Sequence, residues 1–481
     1  MWGWGKNRKI EHPLDKALLH WTEYDPFRVR DLLNGGCLIL GRTGSGKTSS
    51  SGRQLMQAIV DNRNSGGLIL AAKPEDVGDI KAVFEKAGRL NDLIVFSAES
   101  GLGFNLLGYL GHEDPRNIVK CLMTIGKAME REGGNDHKHA FYETLYKRYL
   151  ENDVIALKAA GEPITADRIL SFLMSAATSK AQQENQQWQD NSYHNRMMEQ
   201  AAANVMTGSP LVQHDFKLSA EFWVREYPLM DGEVRSNGLA GVMNILHTFN
   251  QGIVRQMVSS HTNCSPDDIL KGKWVVVDFP PSTWGEVGSF ICAGWKYLTQ
   301  MAILKRQATE QDAFCVIWVD EAHQFVSDTD AYFIAQCRSH KGALIYLSQS
   351  VSSFYAALKG DGGKAQADAL LANFSHVIVH VSDAETAKWA SSKLGKRREM
   401  MFSGSNSPGK ETTLLDQMFG QNQMSMSFSV RYEDVLQTEA FLVGRTGGPD
   451  NNLLADAIAL KSGEPFSNGM NYLRVVFSQR G

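Results

Sequence analysis

The stretch Leu38-Ile39-Leu40-Gly41-Arg42-Thr43-Gly44-Ser45-Gly46-Lys47-Thr48 decides how this chain is read. An apolar run enters a glycine-rich loop, and Lys-Thr opens a helical pattern. The spacing is G-x-x-x-x-G-K-[ST], a P-loop, in which backbone amides turn inward around a triphosphate. Glycine at 41, 44 and 46 permits backbone conformations that a Cβ would block. A helix starting at about Lys47 aims the positive end of its dipole at the phosphates. The expected nucleotide-binding set is Gly41, Arg42, Thr43, Gly44, Ser45, Gly46, Lys47, Thr48 and Ser49. Lys47 is expected on the β- and γ-phosphates and the Thr48 hydroxyl on Mg²⁺, so ATP and Mg²⁺ are the expected ligands. The flanks agree: residues 37–40 read as a buried strand. Residues 49–61 read as a helix with Leu55, Met56, Ile59 and Val60 on one side.

A second apolar run, Phe314-Cys315-Val316-Ile317-Trp318-Val319, ends in Asp320-Glu321. Downstream of a P-loop this is a Walker B pattern. Asp320 at the strand tip would hold Mg²⁺ through water, and Glu321 would polarise the attacking water. Gln349 ends the next apolar run, where an amide can sense the γ-phosphate and orient water; an ordinary polar strand end is the alternative. Arg338 lies between the two runs, at the end of a helical pattern. It reads either as an arginine finger for a neighbouring subunit's nucleotide or as a surface ion pair.

Around these motifs the sequence predicts an α/β fold. Strands are expected at 67–72 and 93–96 with a helix at 79–86 between them, which means a mostly parallel sheet with crossovers. From 112 to 262 the period turns helical, with helices at 117–129, 141–157, 167–177 and 197–205. Gln182-Gln183-Glu184-Asn185-Gln186-Gln187 reads as an exposed helix or connection. The α/β pattern returns with strands at 273–279, 314–321, 343–349 and 376–380 and a helix at 290–305. Residues 441–444 read as the last strand before a short tail, and Asp25-Pro26-Phe27 as a turn. The domain expectation is 1–111 and 263–481 as two parts of one nucleotide-binding domain, with 112–262 an inserted all-α domain.

Composition excludes some classes. A net charge of -4 speaks against a protein coated in basic charge, but not against a locally basic channel. The six cysteines form no C-x-x-C pair and read as reduced, buried thiols. No zinc-ligand spacing appears, and Asp136-His137-Lys138-His139 reads as a polar loop. No window approaches the roughly 20 apolar residues of a membrane span. Met1-Trp2-Gly3-Trp4-Gly5-Lys6 lacks the apolar core of a signal peptide, and Trp2 and Trp4 are expected to pack locally. The expectation is a cytoplasmic protein with no intrinsic membrane span, peripheral at the inner membrane only through partners.

Together these residues resemble the type IV coupling ATPases of bacterial conjugation, the TraG/TraD-like group of the FtsK/HerA-like ring motors. The likeness spans most of residues 25–447. It includes the P-loop, Lys73-Pro74-Glu75, Phe104-Asn105-Leu106, the helical block and Val319-Asp320-Glu321-Ala322-His323-Gln324-Phe325. Further along it includes Arg338, Leu347-Ser348-Gln349-Ser350, Asn373, Ser392-Lys393-Leu394-Gly395, and Arg431 before Tyr432-Glu433-Asp434. The resemblance implies a RecA-like motor domain, an all-α domain and a homo-hexamer around a DNA channel. It also implies a relaxase or secretion-channel protein as partner, Arg338 as the arginine finger and Gln349 as the γ-phosphate sensor. Two departures stand out. The family's acid before the Lys-x-Glu segment is Ala71 here, and its N-terminal membrane helices have no counterpart.

The leading expectation is an ATP-driven DNA translocase. The alternative is an ATPase that delivers or remodels a protein substrate for a secretion, mobile-element or defence system. A nucleotide switch fits less well, since a switch does not need Asp320, Glu321 and Gln349 together. Overall acidity favours protein cargo; Lys393, Lys396, Arg397 and Arg398 favour DNA, although such a run also reads as a solvated loop.

Overall fold

The protein is described by a computed structural model covering residues 12–129, 137–358, 362–407 and 423–480. Thirteen strands lie among them: β1 (Ala17–Thr22), β2 (Asp25–Arg28), β3 (Cys37–Leu40), β4 (Ser65–Leu70), β5 (Leu93–Phe96), β6 (Trp274–Val277) and β7 (Phe314–Val319). The rest are β8 (Gly342–Ser348), β9 (His376–His380), β10 (Lys396–Ser407), β11 (Gln423–Asp434), β12 (Leu454–Lys461) and β13 (Tyr472–Ser478). Nine form one sheet in the order β13-β12-β9-β3-β8-β7-β4-β6-β5. From β9 through β5 all pairs are parallel; β12 joins β9 antiparallel and β13 joins β12 antiparallel. The α/β class with a mostly parallel central sheet is thus observed.

The parallel centre is dry on both faces, since every residue of β3, β4, β6, β7, β8 and β9 is buried. Helices on both sides of such a sheet require near-continuous apolar strands. Alternation divides those strands between two cores. Cys37, Ile39, Ile69, Val276, Val316, Trp318, Ile345 and Leu347 face the helices Arg53–Val60 and Asp76–Lys86. Leu38, Leu40, Leu68, Val275, Ile317, Val319 and Leu344 face the other way. That second core runs without a break into the helices between β5 and β6, including Pro115–Met129, His137–Ala160, Ala166–Met174, Tyr193–Val205 and Gly232–Phe249. The long helix Pro281–Lys305, bent at Gly285 (φ 54°), belongs to this second core.

Buried polar groups close the frame. Arg89 is 3% exposed and donates to the carbonyls of Val60, Asn62, Ser65 and Gly272, to Ser65 Oγ and to Asp92. This pins the entry of β4 to the turn before β6. All six cysteines are buried and none forms a disulfide. Among the described residues, no helix is long and apolar enough to cross a membrane.

Several expectations need correction. Asp25-Pro26-Phe27 lies in β2, paired with β1, and the turn falls just before it. Proline is tolerated there because a two-stranded ribbon leaves half its amides without ladder partners. Residues 441–444 are not a strand. Phe441 ends a short 3₁₀ turn and is buried, while Leu442 and Val443 are exposed. A short apolar run alone does not distinguish a strand from a plug. The last strands are β12 and β13, where the sequence reading expects a short tail. The basic run is no loop: Lys393 lies in the last turn of the helix Ala384–Leu394, and Lys396, Arg397 and Arg398 begin β10, which pairs with β11 over twelve residue pairs. His137 and His139 belong to the helix His137–Ala160 rather than a loop. Trp2, Trp4 and Asp136 lie outside the described residues.

Candidate nucleotide site

Leu40 pairs with Ser348 of β8, and β7 runs beside β8, so the C-terminal ends of β3, β7 and β8 meet on one edge. The P-loop leaves β3 there. Gly44 and Gly46 take φ +75° and +84°, which L side chains rarely adopt. Gly41 is needed for a different reason: a Cβ on it would sit 2.4 Å from Ser45 Oγ and 2.8 Å from His380 Cβ. It therefore lies behind the cavity, whereas Arg42, Thr43, Gly44, Ser45, Gly46, Lys47, Thr48 and Ser49 all line it. The cavity holds about 300 Å³. The chain leaves the loop through a π turn, Thr48–Gly52, and continues as the helix Arg53–Val60.

Lys47 and Glu321 are both 7% exposed, with Nζ and Oε1 3.7 Å apart. The Thr48 hydroxyl donates to Asp320 Oδ2 at 2.9 Å, and the Glu321 amide donates to Asp320 Oδ1 at 2.7 Å. Burial pushes the Asp320 carboxyl up, and the Lys47 charge with these hydrogen bonds pulls it back. Glu321 takes a left-handed backbone, φ 46° and ψ 47°, uncommon for a residue with a side chain. Its Oε2 is buried without a hydrogen bond, and His323 Nδ1 stands 3.7 Å away. Strain and an unsatisfied oxygen at one acid are features that concentrate at functional sites.

The loop after Glu321 is held from beneath. The buried Asp330 carboxylate accepts from Lys296 Nζ at 2.8 Å, Tyr346 OH at 2.6 Å and Gln300 Nε2 at 2.7 Å. Lys296 also donates to the Phe325 carbonyl. Breaking one partner of such a buried set leaves a charge uncompensated.

Gln349 directly follows β8 at this edge, half-buried, but does not line the cavity. Arg338 is at the other end of the same strand. It precedes β8 in a 3₁₀ turn, Cys337–His340, is exposed, and donates to Asn34 Oδ1 at 2.9 Å. Seven strand residues at ~3.3 Å each put it roughly 20 Å from its own P-loop.

The cavity also includes Lys73, Asp76, Asp79 and Trp318, none of which the motifs named as site residues. Asp76 Oδ2 accepts the amides of Ala72 and Lys73, each at 2.9 Å. Burial raises the Asp76 carboxyl, these amides lower it, and the Asp320 charge raises it further. The readable signal is an acid just past a strand, where a helix begins. Hydroxyl and carboxylate oxygens, as Thr48 and Asp320 supply, suit Mg²⁺. Among the described residues, no cluster of three or more His, Cys, Asp or Glu forms a metal site, so such an ion would complete its shell with phosphate and water.

The fold is that of the RecA-like P-loop class, with the P-loop and the Asp320-Glu321 acids on one edge of the sheet. Residues 315–441 match the family model described as the TraM recognition site of TraD and TraG, which bears out the resemblance to the TraG/TraD-like group. The fold is similar to the bacterial conjugative coupling protein TrwBdeltaN70 in its unbound form (TM-score 0.58, 14% identity, covering 95% of this chain and 89% of that one). It is also similar to the plasmid coupling protein TrwB in complex with ADP and Mg²⁺ (TM-score 0.59, 13% identity, covering 97% and 92%). A third likeness is to TrwB with the ATP analogue ADPNP (TM-score 0.57, 13% identity, covering 95% and 89%). No curated protein sequence matches the chain.

Proposed function

We propose that this chain is a Mg²⁺-dependent ATPase of the conjugative coupling class, a ring motor that moves DNA. The observation that carries the reading is the meeting of Lys47, Thr48, Asp320 and Glu321 around one cavity. In this reading the loop amides and Lys47 bind and orient the triphosphate. Thr48 and Asp320 hold Mg²⁺, which when bound neutralises phosphate charge. Glu321 takes the proton of the attacking water as its oxygen bonds to the γ-phosphorus and the ADP oxygen leaves. Gln349 stands at the same edge outside the cavity lining and would have to turn toward the γ-phosphate to orient that water. Arg338 serves a neighbouring subunit's site, with the hexamer expected from the family likeness.

DNA as cargo rests on the coupling-class likeness; Lys396, Arg397, Arg398 and Arg431 at the root of the β10–β11 ribbon add little net charge, since Lys396 pairs with Asp434, Arg397 with Glu399, and Glu433 lies opposite Arg397. The alternative, a protein substrate delivered by the same ATPase, draws support from the family description, which concerns recognition of the protein TraM. One measurement separates them. ATPase rates with single- and double-stranded DNA should rise at low salt, and DNA binding should weaken steeply as salt increases, because phosphate contacts release counterions. No stimulation by either form would favour the protein substrate.

A further inference from the structure

The rear of the P-loop rests on the C-terminal hairpin β12–β13. A Cβ on Gly46 would meet Ala455 Cβ at 3.0 Å and the Thr446 carbonyl at 3.1 Å. Just past the loop, Gln54 Nε2 donates to the Ser478 carbonyl at 2.7 Å. Gln479 then makes three bonds. Its backbone amide donates to the Leu453 carbonyl at 2.8 Å. Its side-chain oxygen accepts from the Gly448 amide at 2.7 Å, and its side-chain NH₂ donates to Ser49 Oγ at 2.6 Å. Room for this carboxamide exists only because residue 447 is glycine: a Cβ there would lie 2.4 Å from Gln479 Nε2.

The direction of the Ser49 bond matters. Ser49 lines the cavity, and a serine hydroxyl both accepts and donates. With Gln479 donating to its oxygen, the hydroxyl proton must point elsewhere. Among the described residues it finds only the Gly46 carbonyl at 3.5 Å, at the limit of hydrogen bonding. It is thereby left for a phosphate oxygen.

We infer that Gln479 is a positioning residue of the nucleotide site: it fixes Ser49 at the exit of the P-loop, so the C-terminal hairpin tunes affinity for the triphosphate. The inference rests on the ATP reading above. The bond links residues 430 positions apart, so no local motif announces it.

The test uses the full chain with Mg²⁺-ATP and the variants Gln479→Ala, Ser49→Ala, the double variant, Gln479→Glu and Lys47→Ala. Gln479→Ala should raise KM and the dissociation constant for ATP about fivefold to tenfold, with kcat within about twofold. Gln479→Glu keeps the acceptor for Gly448 but cannot donate to Ser49, and it adds charge beside the phosphates. It should bind ATP no better than Gln479→Ala. The double variant should be no weaker than the worse single one, since both remove one interaction. A KM change under twofold would overturn the inference. So would full multiplication of the two single effects, or loss of binding that merely tracks a fall in melting temperature. If wild type binds ATP, Lys47→Ala destroys binding and Gln479→Ala does not alter it, this inference alone fails. If wild type binds no ATP, the ATP reading fails and takes this inference with it.

Discussion

The two ends of strand β8 differ in every respect that matters for chemistry. At its C-terminal end Ser348 pairs with Leu40 beside the P-loop, and the neighbouring strand delivers Asp320 and the buried Glu321 to the nucleotide cavity. At its N-terminal end Arg338 stands exposed, tied by one hydrogen bond to Asn34. A rigid, fully buried strand separates them by roughly 20 Å. Arg338 therefore cannot serve its own nucleotide. If it takes part in hydrolysis, a second copy must bring it to the first copy's phosphates.

The largest expected effect is at the P-loop end. Lys47→Ala should reduce hydrolysis to background and weaken ATP binding, because the phosphates lose their nearest cation. Turnover near the wild-type rate, measured by phosphate release, would remove the P-loop from the mechanism. Next comes the far end. Arg338→Ala should lower kcat by about 10³- to 10⁵-fold as a finger supplied in trans, while ATP still binds. Wild-type activity per subunit should rise with protein concentration, since the site completes only when copies touch. A dilute monomer turning over at the full rate would break the comparison. Glu321→Gln should come third, with ATP binding retained and kcat down about 10²- to 10⁴-fold, because an amide cannot take the proton of water. Single-turnover rates would show it.

The same contrast explains what the sequence revealed. The parallel centre was legible because each strand is buried on both faces, so Leu38-Ile39-Leu40 and Phe314–Val319 read as unbroken apolar runs. Lys47, Thr48, Asp320 and Glu321 were legible because their chemistry fixes their spacing. β12 escaped because Leu-Ala-Asp-Ala-Ile-Ala-Leu-Lys is rich in residues with weak strand preference, and its burial comes from β9 and β13. In β13, Leu473, Val475 and Phe477 do alternate with more exposed residues, so that strand carries a readable period of two. Asp76 carried a local signal, an acid where a helix begins, but its place near the charge of Asp320 comes from the fold. Gln479 carried no signal at all, because its bond to Ser49 is made only by long-range packing.

The smallest predicted effect sharpens the comparison most. Arg338 has a bland role open to it, as an anchor for the turn before β3 through its bond to Asn34. Both side chains are exposed, and an exposed hydrogen bond contributes about 1 kcal/mol or less, because water replaces either partner. Asn34→Ala removes that bond and leaves the guanidinium free to reach a neighbour. Under the anchor reading, Asn34→Ala and Arg338→Ala break the same contact and should give the same phenotype. Under the finger reading they diverge: Arg338→Ala nearly stops turnover, whereas Asn34→Ala should change kcat by less than about twofold and leave the melting temperature almost unmoved. Assaying both variants at one protein concentration, above that at which wild-type activity per subunit levels off, decides between them. Equal losses would return Arg338 to the surface and leave the proposed ring without its finger.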